Sequence, residues 1–159
     1  MLQRMLAGVA CCTLVLLLSE VALAQDKEVP FPTLPKGAGK IDDGAPKKLT
    51  PTASGLKYRI LRKGTGAMPK ATDKVEVNYH GWLDDGKKFD SSYDRGESIS
   101  FGLNQVIKGW TEGMQLVGEG GMIELEIPSD LGYGDRGSPG AIPPKARLHF
   151  LVELIKVQK

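Results

Sequence analysis

Val106-Ile107-Lys108-Gly109-Trp110-Thr111-Glu112-Gly113 is the stretch on which the fold turns. A β-branched run leads into Trp110, Met114 and Val117, spaced four and then three apart as one helical stripe requires. Gly118, Gly120 and Gly121 then close the segment. The other patterned segments repeat every second residue instead. Leu56–Ile60, Val75–His80, Ile123–Ile127 and Leu148–Leu154 alternate apolar and polar side chains, which predicts half-buried antiparallel strands with one wet face each. Asp84-Asp85-Gly86 marks a hairpin between Trp82 and the Phe89 segment. One short helix laid on an antiparallel sheet is an α+β domain, placed here over residues 55–159.

Only 6% of the residues are aromatic, so a Trp inside the single helix must fill a core or floor a pocket. Tyr79, Phe89, Val106, Ile107, Trp110 and Phe150 lie on elements whose inward faces can converge. Tyr133 and Ile142 stand above them on a 19-residue loop, Pro128 to Ala146, that has no helical or strand period. Loops of that length in compact domains are functional or disordered. Its prolines and apolar residues favour an ordered flap. Periodicity alone leaves core and pocket evenly matched.

The first 24 residues differ in kind. Arg4 is the only charge before an apolar run from Met5 to Leu18, and Ala22-Leu23-Ala24 offers a small-x-small cleavage site before Gln25. That layout predicts a cleaved signal peptide and an exported, periplasmic product. The apolar run is shorter than the roughly 20 residues of a spanning helix. Both cysteines, Cys11 and Cys12, fall inside it, so the processed chain would carry neither disulfide nor thiol chemistry. Residues 25–54 hold five of the ten prolines and no sustained apolar period, which predicts a flexible tether. No apolar helical stripe for self-association is visible there, so a monomer is expected.

Several chemistries are disfavoured. A net charge of +2 leaves no electrostatic footprint for nucleic acid or an anionic membrane. Gly132-Tyr133-Gly134-Asp135-Arg136-Gly137 matches GxGxxG in letters, but Pro139, Pro143 and Pro144 block the helix a dinucleotide site requires. The two histidines, His80 and His149, read as solvated strand positions, so no metal site is expected. Asp84-Asp85 reads as a polar turn, and Ser91-Ser92 lacks a local histidine partner for a nucleophile.

Val77-Asn78-Tyr79-His80-Gly81-Trp82-Leu83-Asp84-Asp85-Gly86-Lys87-Lys88-Phe89-Asp90-Ser91-Ser92 resembles the signature segment of FKBP-type peptidyl-prolyl cis-trans isomerases. Phe101, Val106–Trp110, Tyr133-Gly134, Pro139-Gly140, Ile142–Pro144 and Phe150–Leu154 continue the likeness in order, from Gly55 to Lys159. The resemblance implies a curved antiparallel sheet wrapped around one short helix, with a proline site between them and no cofactor. It assigns the turnover residues to Tyr133, Asp90 and Phe89. The prolyl site would be built from Tyr79, Arg95, Val106, Ile107, Trp110, Ile142 and Phe150, with Arg95 pairing to Asp90 and the Ile107 amide available to substrate. Ile99, Ser138 and Ala141 depart from the family's common rim residues. The implied partners are proline-containing unfolded polypeptides, and macrolide immunosuppressant-type ligands. A non-catalytic, chaperone-like binding module using the same groove is the alternative.

Overall fold

The computed structural model describes residues 29–158. Seven strands form one antiparallel sheet: β1 (Thr50–Pro51), β2 (Lys57–Arg62), β3 (Lys74–Leu83), β4 (Lys88–Ser91), β5 (Ile99–Gly102), β6 (Met122–Ile127) and β7 (Leu148–Gln158). The spatial order is β1-β2-β6-β7-β3-β4, and β5 also pairs with β3. The long strand β3 runs against β7 from Lys74↔Gln158 to Leu83↔Leu148. Its other edge is shared, with β5 along Lys74–Val77 and β4 along His80–Trp82.

The alternation in the sequence becomes two faces. Val75, Val77 and Tyr79 of β3 join Ile123, Leu125 and Ile127 of β6 and Phe150, Val152 and Leu154 of β7 in the main core. The helix carrying Trp110, α2 (Lys108–Gly113), lies on that face. It comes so close because Gly109 and Gly113, one turn apart, face β6. A Cβ on Gly109 would stand 2.5 Å from Ile127 Cγ2, and one on Gly113 would stand 2.6 Å from Leu125 Cδ2. The expected stripe through Val117 is real in packing, yet the α-helix stops at Gly113 and a 3₁₀ turn, Met114–Leu116, completes it. A further single-turn helix, α1 (Ser92–Arg95), follows β4; the sequence pattern is too short to announce it.

The opposite face is wet only in part, which corrects the expectation for the strands where Leu61, Met122 and Leu151 are covered. Residues 29–51, expected as a flexible tether, pack over it as a strap. Leu34, Ala38 and Ile41 cover Leu61, Met122 and Leu151, with Trp82 at the margin. Polar groups fasten the strap, chiefly around Arg59 and Glu153. The Arg59 guanidinium donates to the carbonyls of Val29 (2.6 Å), Lys47 (3.0 Å) and Pro30 (2.6 Å), and through Nε to Glu124 (2.5 Å). The Phe31 ring lies under the same guanidinium. Glu153 accepts the Gly39 N–H (2.9 Å), the Tyr93 hydroxyl (2.6 Å) and Arg62 Nη2 (2.7 Å). Thr50–Pro51 then enters the sheet as β1. The physical reason is that a Pro-rich segment needs no internal ladder when side chains on the sheet satisfy its carbonyls. The signal expected over 1–24 lies outside the described residues, and no helix among the described residues is long and apolar enough to cross a membrane.

Candidate active site

Where α2 meets the open end of the sheet, the core gives way to a cavity of about 580 Å³. Trp110 lines it while remaining only 5% exposed. Three rings stand edge-on around the indole: Tyr79 at 5.4 Å, Phe150 at 5.2 Å and Phe101 at 5.1 Å between centroids. Phe89 meets Phe150 in the same way at 5.4 Å. These contacts fix the rings by their edges. Gly81 makes the arrangement possible, because a Cβ there would stand 2.6 Å from Phe89 Cζ and 2.8 Å from Phe150 Cε1.

Val106 and Ile107 line the cavity at the entrance to α2. Ile107 is the residue before the first helical turn, so its N–H has no intrahelical acceptor. The flap expected over 128–146 is ordered. It opens with a 3₁₀ turn, Ser129–Leu131, and is closed by paired bonds between Ser138 and Ile142, both 2.8 Å. Ile142 is buried beneath it and Tyr133 is 43% exposed at the mouth, both lining the cavity. The Tyr133 hydroxyl makes no hydrogen bond to protein among the described residues.

One carboxylate enters this wall, and it already has partners. Tyr79 donates its hydroxyl to Asp90 Oδ2. Asp90 Oδ1 accepts the Ser91 N–H (2.8 Å) and Arg95 Nη1 (2.5 Å), and Arg95 Nη2 donates to the Tyr79 oxygen (3.0 Å). Burial opposes ionisation of Asp90, but the bonds from Tyr79 and Arg95 outweigh it and hold the carboxyl below its ordinary value. Burial, then the bond to Asp90, pushes the Tyr79 phenol up. Asp90 is therefore a paired, ionised carboxylate at neutral pH, and the Tyr79 hydroxyl proton is committed to it.

The structure brings Tyr79, Phe89, Asp90, Val106, Ile107 and Trp110 to one cavity, together with Tyr133, Ile142 and Phe150. Arg95 stands behind Asp90 and holds it. Phe101 and Gln105 also line the cavity. Phe101 belongs to the quoted resemblance but was outside the expected site, and its place opposite Val75 in the β3–β5 pairing was the missing signal. Of the departures, Ser138 and Ala141 line the cavity, whereas Ile99 is 40% exposed and stands away from it. His149 is not simply solvated: it stacks on Trp82 and its Nε2 lies 2.6 Å from Asp84 Oδ1. Ser92 is buried, and its hydroxyl accepts the Tyr79 N–H at 2.9 Å, a structural bond. Among the described residues no cluster of three His, Cys, Asp or Glu could hold a metal.

Residues 66–155 match the family model described as FKBP-type peptidyl-prolyl cis-trans isomerase. The chain belongs to that family. A relative from Aeromonas hydrophila, FKBP-type peptidyl-prolyl cis-trans isomerase FkpA, is 56% identical over 108 residues, covering 68% of this chain and 40% of its own. The crystal structure of FkpA from Escherichia coli superposes with a TM-score of 0.67 at 49% identity, covering 69% of this chain and 51% of that one. A peptidyl-prolyl cis-trans isomerase structure from Pseudomonas syringae gives 0.66 at 40% identity, over 70% of this chain and 81% of that one. The chain thus spans about half the length, or less, of the FkpA proteins it matches. Within this FKBP-type domain, the signature segment quoted above supplies β3, the turn and β4, and so the Tyr79–Asp90 side of the cavity.

Proposed function

We propose that the chain is a peptidyl-prolyl cis-trans isomerase that turns X-Pro bonds of exported polypeptides without a covalent step. The observation that carries this reading is the apolar cavity around Trp110, whose one carboxylate is already paired with Tyr79, Ser91 and Arg95. Such a site suits a reaction that transfers no proton. Rotation about a peptide bond faces a barrier of about 18–20 kcal/mol because twisting breaks amide resonance. Uncatalysed X-Pro exchange takes tens to hundreds of seconds, and reaching milliseconds needs about 10⁴-fold, or about 6 kcal/mol. The planar amide is more dipolar than the twisted one, so leaving water for an apolar cavity favours the twisted state.

Trp110 serves as the platform for the prolyl ring, with Phe89, Val106 and Phe150 as walls. The Tyr133 hydroxyl donates to a substrate carbonyl, and the Ile107 N–H is a second donor. One neutral hydrogen bond contributes about 0.5–1.5 kcal/mol net, so shape and desolvation supply most of the effect. Asp90 and Arg95 keep the Tyr79 ring in place. Macrolide-type ligands would rest on the same floor, with Ser138 and Ala141 setting their fit. The site is complete within one chain, consistent with a working monomer. The leader-like residues 1–24 support export to the periplasm with cleavage after Ala24, leaving the 55–159 domain with its strap.

The test is isomerisation of a proline tetrapeptide by the full chain, since a fragment starting at residue 55 would lose the strap. Acceleration that saturates with peptide is expected. Exchange at the uncatalysed rate, with the peptide still bound, would instead assign a non-catalytic binding module.

A further inference from the structure

The active-site cavity has a neighbour. A cleft of about 350 Å³ opens between the β3–β4 turn and the tip of the flap, lined by Leu83, Asp85, Lys87, Arg136 and the prolines 139, 143 and 144. It shares Ala141 and Ile142 with the main cavity. Ile142 is buried, so the exposed part of the common rim is the methyl of Ala141. A side chain that small leaves a low saddle over which an extended peptide can pass from one depression to the other.

The charge in this second cleft is unbalanced. Asp85 accepts the Lys87 N–H at 2.8 Å. The side chains of Lys87 and Arg136, by contrast, form no ion pair among the described residues. The neighbouring charged groups have partners of their own: Asp135 pairs with Lys145, Lys88 pairs with Asp94, and Asp84 Oδ1 lies 2.6 Å from His149 Nε2. Two cations therefore face one carboxylate in a cleft with proline walls. The flap tip is also held in shape, since Gly137 has a positive φ of 64° and a Cβ there would stand 2.3 Å from the Ile142 carbonyl oxygen.

We propose that this cleft is a specificity subsite that selects client segments bearing Asp or Glu a few residues from the X-Pro bond. The proposal rests on the isomerase reading for the position of the proline, and it adds which flanking residues are preferred. Lys87 and Arg136 are its specificity determinants. They attract the client carboxylate across an open cleft, and they repel a lysine placed at the same point.

The experiment uses the full chain and two series of proline peptides, one varying the residues before X-Pro and one those after it, each with Glu, Ala or Lys. Exposed charge pairs are individually weak, so exchanging Lys for Glu against two cations should raise kcat/KM about fivefold at low ionic strength. The ratio should fall below about twofold near 1 M salt, where the screening length is about 3 Å. It should also collapse toward one in the Lys87→Gln/Arg136→Gln protein. A ratio under twofold at low salt in both series overturns the subsite, as does a ratio the double variant leaves intact. Calorimetric binding of the same peptides reads the same ratio without turnover. Absence of isomerisation with a preserved Glu-over-Lys binding ratio would overturn the isomerase reading and leave the subsite standing.

Discussion

Arg59→Met should show that the strap is part of the folded domain. The guanidinium is fully buried and makes four hydrogen bonds, three to strap carbonyls and one to a Glu124 carboxylate that is itself almost fully buried. Methionine keeps much of the apolar stem but strands the carboxylate and orphans the carbonyls of Val29 and Pro30, whereas the Lys47 carbonyl keeps the Val29 N–H at 3.2 Å. Breaking a buried pair by removing one partner costs about 3–5 kcal/mol. Two escapes limit the loss. Burial already pushes the Glu124 carboxyl up despite Arg59, so it can take a proton. The strap can also lift, returning its carbonyls to water. The low end of the range, about 3 kcal/mol, is therefore expected, equivalent to a fall in Tm of about 10 °C for a chain of this size. Urea unfolding gives the free energy, and hydrogen exchange should show residues 29–47 losing protection before the β3–β7 ladder. Arg59→Met with Glu124→Leu should recover part of the loss but not all of it, because the carbonyls of Val29 and Pro30 still lack the donor Arg59 supplied. A single variant within about 0.5 kcal/mol of the parent, with strap protection unchanged, would refute the reasoning.

The remaining expectations concern the site and its support. Tyr133→Phe should slow isomerisation by about 2- to 12-fold without changing Tm, because the lost bond is about 0.5–1.5 kcal/mol and its hydroxyl makes none to protein. Trp110→Ala should lower both stability, by about 3–5 kcal/mol, and turnover, read by urea unfolding and the peptide assay. Gly109→Ala places a methyl 2.5 Å from Ile127 Cγ2 and should cost about 1–3 kcal/mol while raising KM, since Trp110 follows directly in the helix. Burial works against Glu153, but Arg62, Tyr93 and the Gly39 N–H hold its carboxyl below the ordinary value. Its stabilisation is present above the ordinary glutamate range and is lost as pH falls through the lowered one. Unfolding free energies measured from about pH 5 to about pH 3 should therefore fall more steeply for the parent than for Glu153→Gln.

The alternation of Val75, Val77 and Tyr79, and of Ile123, Leu125 and Ile127, was enough to place the core face, because period 2 can point only one way once one face is apolar. Nearly all the cavity's residues were also legible, since the family's motif places them on known strands and on the helix entrance. The strap was not. Leu34, Ala38 and Ile41 follow no period, and Arg59 sits at a strand position that looks solvent-facing by alternation. Its burial exists only because the strap folds back to offer three carbonyls, two of them 30 and 29 residues earlier and the third 12 residues earlier. Satisfied polar groups leave no local trace in a sequence. The same holds for the floor of the site. Trp110 reads equally as core or pocket from its neighbours, and the choice belongs to long-range packing: three rings from β3, β5 and β7 stand edge-on around it, and a flap closed by the Ser138–Ile142 bonds stops short of covering it. Local pattern chose the elements. Their convergence, which no local pattern encodes, chose what Trp110 is for.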